Sequence, residues 1–377
     1  MKITAVRLYV LEAPEQPHGT YLKLITVPNL RRIQYTHTRV PTGKPLTQTF
    51  IQVETDDGRV GRCTTTMLPH QIEILRNQVI GWDVADREGL FQMLHKGTRW
   101  VYQPPGWYGD FDNCVWDLLG QAAGLPVYGL VGKVRDRFPV YLTWHDLPLA
   151  DYLKQIEAGR AYGVQAYKFH SFKGGAADIP IFRTVRREVG PDYALLNDPV
   201  CSYDLREAIE VGHGMEELGF IWLEEPFHEQ KLHDYQALCR ELTMPVMGTE
   251  MLMHDMGLST QWLIQGGTDR IRANARNATT QVLKMAHFAE MYATNVELNG
   301  GGGLFGLIHA HLGLCIDNAD YYEHFATAAD SNRVEGELWG MLNGPLIVDG
   351  HIAPPDGPGW GAVWDEARFN ARVVAEY

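Results

Sequence analysis

Three carboxylates are evenly spaced in the second half of the chain, with 26 residues from Asp198 to Glu224 and 26 more to Glu250. Each stands at or near the end of a short apolar run. Carboxylates gathered in one place repel one another and take up protons unless a cation neutralises them. An all-oxygen ligand set suits a hard divalent ion, so the trio points to magnesium rather than zinc. One such acid alone would read as a cap on the following helix. Three at one interval favour a shared ion.

Lys168 and His170 precede Asp198 by 30 and 28 residues and, being separated by one residue in an apolar run, point to the same side of a strand. A lysine beside a bound cation, or an imidazole whose ordinary pKa is close to neutrality, can act as general base towards a weakly acidic C–H. The spacing leaves both open. Glu323 either hydrogen-bonds a substrate carboxylate oxygen while protonated or serves as an ion-pair partner. Asn274 follows Glu250 by 24 residues and can orient a substrate, but takes no proton at neutral pH. Asn299, His145 and His228 fall on the same rim as further substrate contacts, and Arg31 and Arg32, with Lys44, suit an anionic substrate.

What must hold these residues is a regular alternation of short strands and longer amphipathic segments after Pro139. Strands are predicted over 140–144, 166–170, 193–198, 220–225, 244–250, 268–274, 293–299 and 321–325, and eight is the number that closes a barrel. Helices fall between them, among others 179–189 with Asp178 as its cap and 279–292 with Val282, Met285, Ala286 and Ala289 on one face. The polar residues then occupy the C-terminal strand ends, where barrel enzymes carry their chemistry. Ahead of the barrel, residues 2–10 and 49–54 read as strands, the second followed by the turn Asp56-Asp57-Gly58, and 69–131 as mainly helical. Residues 14–48 form a long connection. The expected fold class is α/β: an N-terminal α+β domain over 1–136, completed by the tail 340–377, and a (β/α)8-type barrel over 137–339.

Composition narrows the class. The 377 residues allow two or three domains, and 45% hydrophobic with 21% charged residues describe an ordinary soluble chain. A formal net charge of −13 repels phosphate backbones and anionic lipid, so nucleic acid is excluded as the expected partner. Five dispersed cysteines with no Cys-x-x-Cys pair argue against a disulfide framework or a thiolate zinc site, and fit a cytoplasmic setting. No stretch approaches about 18 consecutive apolar residues and no standard secretion signal is read, so no membrane span is expected.

Together these residues resemble the enolase superfamily, in its mandelate racemase / muconate lactonizing enzyme branch, over essentially the whole chain. The resemblance rests on Val115-Trp116-Asp117-Leu118-Leu119-Gly120, Gly124-Leu125-Pro126-Val127-Tyr128, Tyr167-Lys168-Phe169-His170, Asn197-Asp198, Trp222-Leu223-Glu224-Glu225-Pro226, Gly248-Thr249-Glu250 and Tyr322-Glu323. It implies a modified TIM barrel whose N-terminal domain caps the mouth through loop 14–48, with Cys63–Met67 as a second contact. It implies Mg2+ on Asp198, Glu224 and Glu250, His170 at the second position of a Lys-x-Lys base motif, Glu323 as the acid that receives a carboxylate oxygen, and a homo-oligomer. Pairing a lysine or histidine base with magnesium to make an ene-diolate is the known pattern of that superfamily.

The departures matter equally. Where relatives carry an Asp or Lys on strand six and a His after strand seven, this chain has Asn274, Asn299 and four glycines at 300–303. Racemisation needs bases on two faces and only one is visible. The expected activity is therefore dehydration of a sugar acid, a small-molecule carboxylate, to a 2-keto-3-deoxy acid. A cycloisomerising, lactonizing or epimerising enzyme, and a ligand-binding homologue without turnover, are the alternatives.

Overall fold

The strand Ile3–Ala13 buries side chains on both faces: Ile3, Val6 and Leu8 pack with Ile72, Leu75 and Val79 of the helix behind it, while Leu11 and Ala13 join a smaller cluster with Phe50, Trp339 and Phe369. The structure, a computed structural model, describes residues 1–13, 20–23, 38–41, 43–301 and 303–377. Ile3–Ala13 pairs antiparallel with Leu46–Thr55, which turns through Asp56-Asp57-Gly58 into Val60–Thr65. Gly58 supplies the left-handed backbone, φ 84°, that this turn uses. Within the long connection, Thr20–Lys23 and Thr38–Pro41 pair as a separate antiparallel hairpin. The last strand, Val373–Glu376, returns to pair with Ile3–Ala13.

Four helices follow this sheet: Pro69–Val79, Arg87–Val101, Gly109–Ala123 and Val127–Val131. Gly109–Ala123 is buried along most of its length and ends at Gly124 in the left-handed conformation. It also locks the two parts of the chain together. Asn113 Oδ1 accepts from the amide of Thr279 at 3.1 Å and Asp112 Oδ2 from that of Thr280 at 2.8 Å, capping a barrel helix from outside the barrel.

The barrel strands are β1 (Phe138–Thr143), β2 (Ala166–Phe169), β3 (Ala194–Asn197), β4 (Leu223–Glu224), β5 (Val246–Gly248), β6 (Arg270–Ala273), β7 (Val296–Leu298) and β8 (Tyr322–His324). They alternate with α1 (Leu149–Arg160), α2 (Gly175–Val189), α3 (Leu205–Glu217), α4 (Leu232–Glu241), α5 (Met256–Ile264), α6 (Thr279–Met291), α7 (Gly303–Cys315) and α8 (Ser331–Leu338). β1 to β7 pair in order and in parallel, β8 pairs with β1, and a bridge from Gly301 to His324 completes the ring. Every predicted barrel strand is found within a few residues of its expected span. Among the described residues no helix is long and apolar enough to cross a membrane.

The expected cap at Asp178 is corrected. α2 starts at Gly175, so Asp178 lies in its first turn, where its carboxylate accepts from Ser171 Oγ at 2.6 Å, Gly174 N at 2.8 Å and Tyr203 Oη at 2.7 Å. It ties the loop after β2 to the loop after β3.

Inside the barrel, Tyr141, Ala166, Leu196, Trp222 and Met247 form an apolar layer. Strand side chains repeat every two residues, so the next layer towards the C-terminal ends contains Thr143, Lys168, Asp198 and Glu224. The fold thus sets charge directly above a dry plug.

Candidate metal and proton-transfer site

Lys168 is 1% exposed, and its Nζ lies 2.8 Å from Glu323 Oε1, 3.1 Å from Glu224 Oε2 and 3.6 Å from Asp198 Oδ2. Burial disfavours its charge, but Glu224 and Glu323 outweigh that and hold its pKa well above the usual lysine value. Three carboxylates keep this ammonium charged, which makes it a poor base.

Arg272 on β6 is fully buried and adds a second cation. Its Nη2 lies 2.7 Å from both Glu224 Oε1 and Glu323 Oε2, its Nη1 donates to Leu298 O at 3.1 Å, and its Nε is 3.6 Å from Glu250 Oε2. Glu323 therefore sits between two cations and also accepts from Gly300 N at 2.6 Å. Burial alone would raise its pKa, yet Lys168 and Arg272 hold it well below the ordinary carboxylate range. The structure places Glu323 as an ion-pair partner of Lys168 and Arg272, one of the two readings open from its position in the sequence.

His170 is held differently. Its Nδ1 lies 2.7 Å from the main-chain oxygen of Trp144, which can only accept, so Nδ1 carries a proton and Nε2 keeps the exchangeable lone pair. Nε2 lies 3.3 Å from Asp198 Oδ2, and the side chain is 12% exposed. Burial lowers the imidazole pKa, but Asp198 more than compensates and the net shift is upward. Of the two base candidates, His170 is the one that reaches the opening.

The oxygens that come within 4.8 Å of one another belong to Asp198, Glu225 and Glu250. Glu224, the expected third ligand, pairs with Lys168 and Arg272, and its neighbour Glu225, with a left-handed φ of 39°, turns into the cluster beside Asp198 and Glu250. Glu225 Oε1 and Glu250 Oε2 are buried and have no hydrogen-bond partner among the described residues. Burial, then Glu250 and Asp198, push Glu225 well above the carboxylate range, and burial pushes Glu250 up to about 7. Five carboxylates, Asp198, Glu224, Glu225, Glu250 and Glu323, thus meet two permanent cations, Lys168 and Arg272. A divalent cation would offset most of the remaining negative charge while leaving His170 free to stay neutral, so the donor set fits a hard metal ion.

The expected substrate contacts divide. Asn274 and Asn299 come together, but Asn274 spends its amide on the protein, donating to Asn299 O and Oδ1 at 3.1 Å and accepting from Arg276 N at 2.9 Å. This makes it a clamp between strand ends. His145 packs on Phe325, ring centroids 5.0 Å apart, and Phe325 on His170 at 5.7 Å, so His145 belongs to the wall beside His170. His228 is exposed just ahead of the turn that leads into α4. Arg31 and Arg32 lie outside the described residues.

Residues 151–368 match the family described as enolase C-terminal domain-like, over more than half of the chain. The chain belongs to the enolase superfamily. Its fold superposes on the magnesium complex of D-glucarate dehydratase from Agrobacterium tumefaciens with a TM-score of 0.82 and 26% identity, covering 100% of both chains. In sequence this superfamily member is 25% identical to a putative L-rhamnonate dehydratase of Caldivirga maquilingensis, over 96% of this chain and 94% of that one. It is also 25% identical to the arabinonate dehydratase of Saccharolobus solfataricus, over 84% and 88%. The modified TIM barrel with its N-terminal α+β domain is the architecture of this superfamily.

Proposed function

We propose that this superfamily member is a Mg2+-dependent dehydratase of sugar acids, yielding 2-keto-3-deoxy acids. The observation that carries the reading is one imidazole, His170, fixed at the edge of a carboxylate cluster that needs a divalent ion. Opposite it, β6 and β7 lead to Asn274 and Asn299, neither of which exchanges a proton at neutral pH. One base suits elimination and does not suit racemisation. The dehydratase names of the relatives support the substrate class. The reading also carries a homo-oligomer in the cytoplasm.

Asp198, Glu225 and Glu250 would hold the magnesium, which supplies positive charge to the substrate carboxylate oxygens as the α-proton leaves. His170 Nε2 takes that proton, while Trp144 O fixes the ring through Nδ1–H. The C–O bond at the β-carbon then breaks, and the imidazolium returns its proton to the departing hydroxide, which leaves as water. The resulting enol becomes the 2-keto-3-deoxy acid. Lys168 and Arg272 stay charged throughout and keep Glu224 and Glu323 in place.

Incubating the protein with aldonic, aldaric and uronic acids and developing with a keto-acid reagent tests this. A signal for one or a few acids that EDTA abolishes and magnesium restores is the expected result. A silent library, or a signal indifferent to EDTA, would overturn the reading.

A further inference from the structure

The loop that leaves β4 does more than supply Glu225. Its main chain braces the loop after β3: Cys201 N donates to Glu225 O at 2.8 Å and Tyr203 N to Pro226 O at 2.9 Å. In the other direction, the Glu229 side chain reaches the end of β5, where Oε1 accepts the amide of Glu250 at 2.7 Å. The other carboxylate oxygen, Oε2, is buried and has no hydrogen-bond partner among the described residues. Glu229 precedes α4, yet its carboxylate serves this neighbouring turn.

That turn needs a tether. Thr249 has φ 74°, a left-handed conformation that is costly for a β-branched residue and persists only where the surroundings impose it. Glu229 itself is 5% exposed, a carboxyl group sunk beside a cluster already rich in negative charge, and burial pushes its pKa up to about 7. A buried carboxylate there is unfavourable unless its hydrogen bonds compensate.

We propose that Glu229 is a positioning residue for the metal site, its carboxylate gripping the turn at 249–251 so that Glu250 points at Asp198 and Glu225. The inference rests on the metal reading above. Groups that orient metal ligands typically contribute about 10- to 100-fold in metal affinity, and that is the scale expected here.

Calorimetric titration of the full chain with magnesium chloride, alongside thermal unfolding without metal, provides the test. Glu229→Ala should weaken magnesium at least about tenfold, whereas Glu229→Gln, which keeps an acceptor at Oε1, should stay close to the wild-type affinity. Where Glu229→Ala does not fold, Glu229→Asp, with the carboxylate drawn back by one methylene, should show the loss. A lowered unfolding temperature with unchanged affinity in the folded variants would make Glu229 merely structural and overturn the proposal. Absence of magnesium binding by the wild type would instead remove the metal reading on which it rests.

Discussion

Arg272 Nη2 lies 2.7 Å from Glu224 Oε1, and both side chains are sealed from water. The same nitrogen holds Glu323, so removing the guanidinium strands two buried carboxylates beside a single lysine. Arg272→Met should cost about 3–5 kcal/mol of unfolding free energy in urea. Adding Glu224→Gln should recover part of that loss, because it deletes one of the stranded charges. Strictly additive losses would show that the two residues are not coupled.

The ligand set makes a second prediction. Glu225→Gln should weaken magnesium at least about tenfold by calorimetry, whereas Glu224→Gln should act chiefly on stability. Magnesium at 100 times its Kd should stabilise the wild type by about 2.7 kcal/mol. Binding lost in Glu224→Gln and kept in Glu225→Gln would restore the ligand expected from spacing.

A pH prediction concerns His311 on α7, outside the site. Its Nε2–H donates to Trp360 O at 3.0 Å and its Nδ1 accepts from Tyr128 N at 3.4 Å, a pattern that needs the neutral ring. Burial lowers its pKa to about 4, against an ordinary 6.5. A depressed histidine pKa means the unfolded chain binds the proton first as pH falls. The stability it contributes is complete above pH 6.5 and declines towards pH 4. The stability gap between wild type and His311→Gln should therefore narrow by roughly 2 kcal/mol between pH 7 and pH 5. A gap that does not change over this range would contradict the assignment.

The barrel is legible in the sequence because each strand is a short apolar run and each run ends in charge; strand period alone puts Lys168, Asp198 and Glu224 inside. Arg272 is legible by the same rule, two residues before Asn274, though an arginine in a barrel core is not what apolar patterning leads one to seek. Glu225 is not legible, because counting along a strand does not show that the chain turns left-handed there and redirects the side chain. Glu229 is hidden for a related reason: its partner is the backbone of a different loop, 21 residues away. The protonation of Glu323 depends on two cations from other strands, so its position alone leaves the acid and ion-pair readings equal.

The central claim is that His170 removes the α-proton of a carboxylate beside a metal held by Asp198, Glu225 and Glu250. Its most direct test is proton NMR in D2O with magnesium and whichever acid the library identifies, comparing wild type with His170→Asn. The account predicts loss of the α-proton signal and formation of the keto acid with the wild type. It predicts both slowed by about 10²- to 10⁴-fold in the variant while calorimetric magnesium affinity is retained. Undiminished α-proton loss in His170→Asn would contradict it.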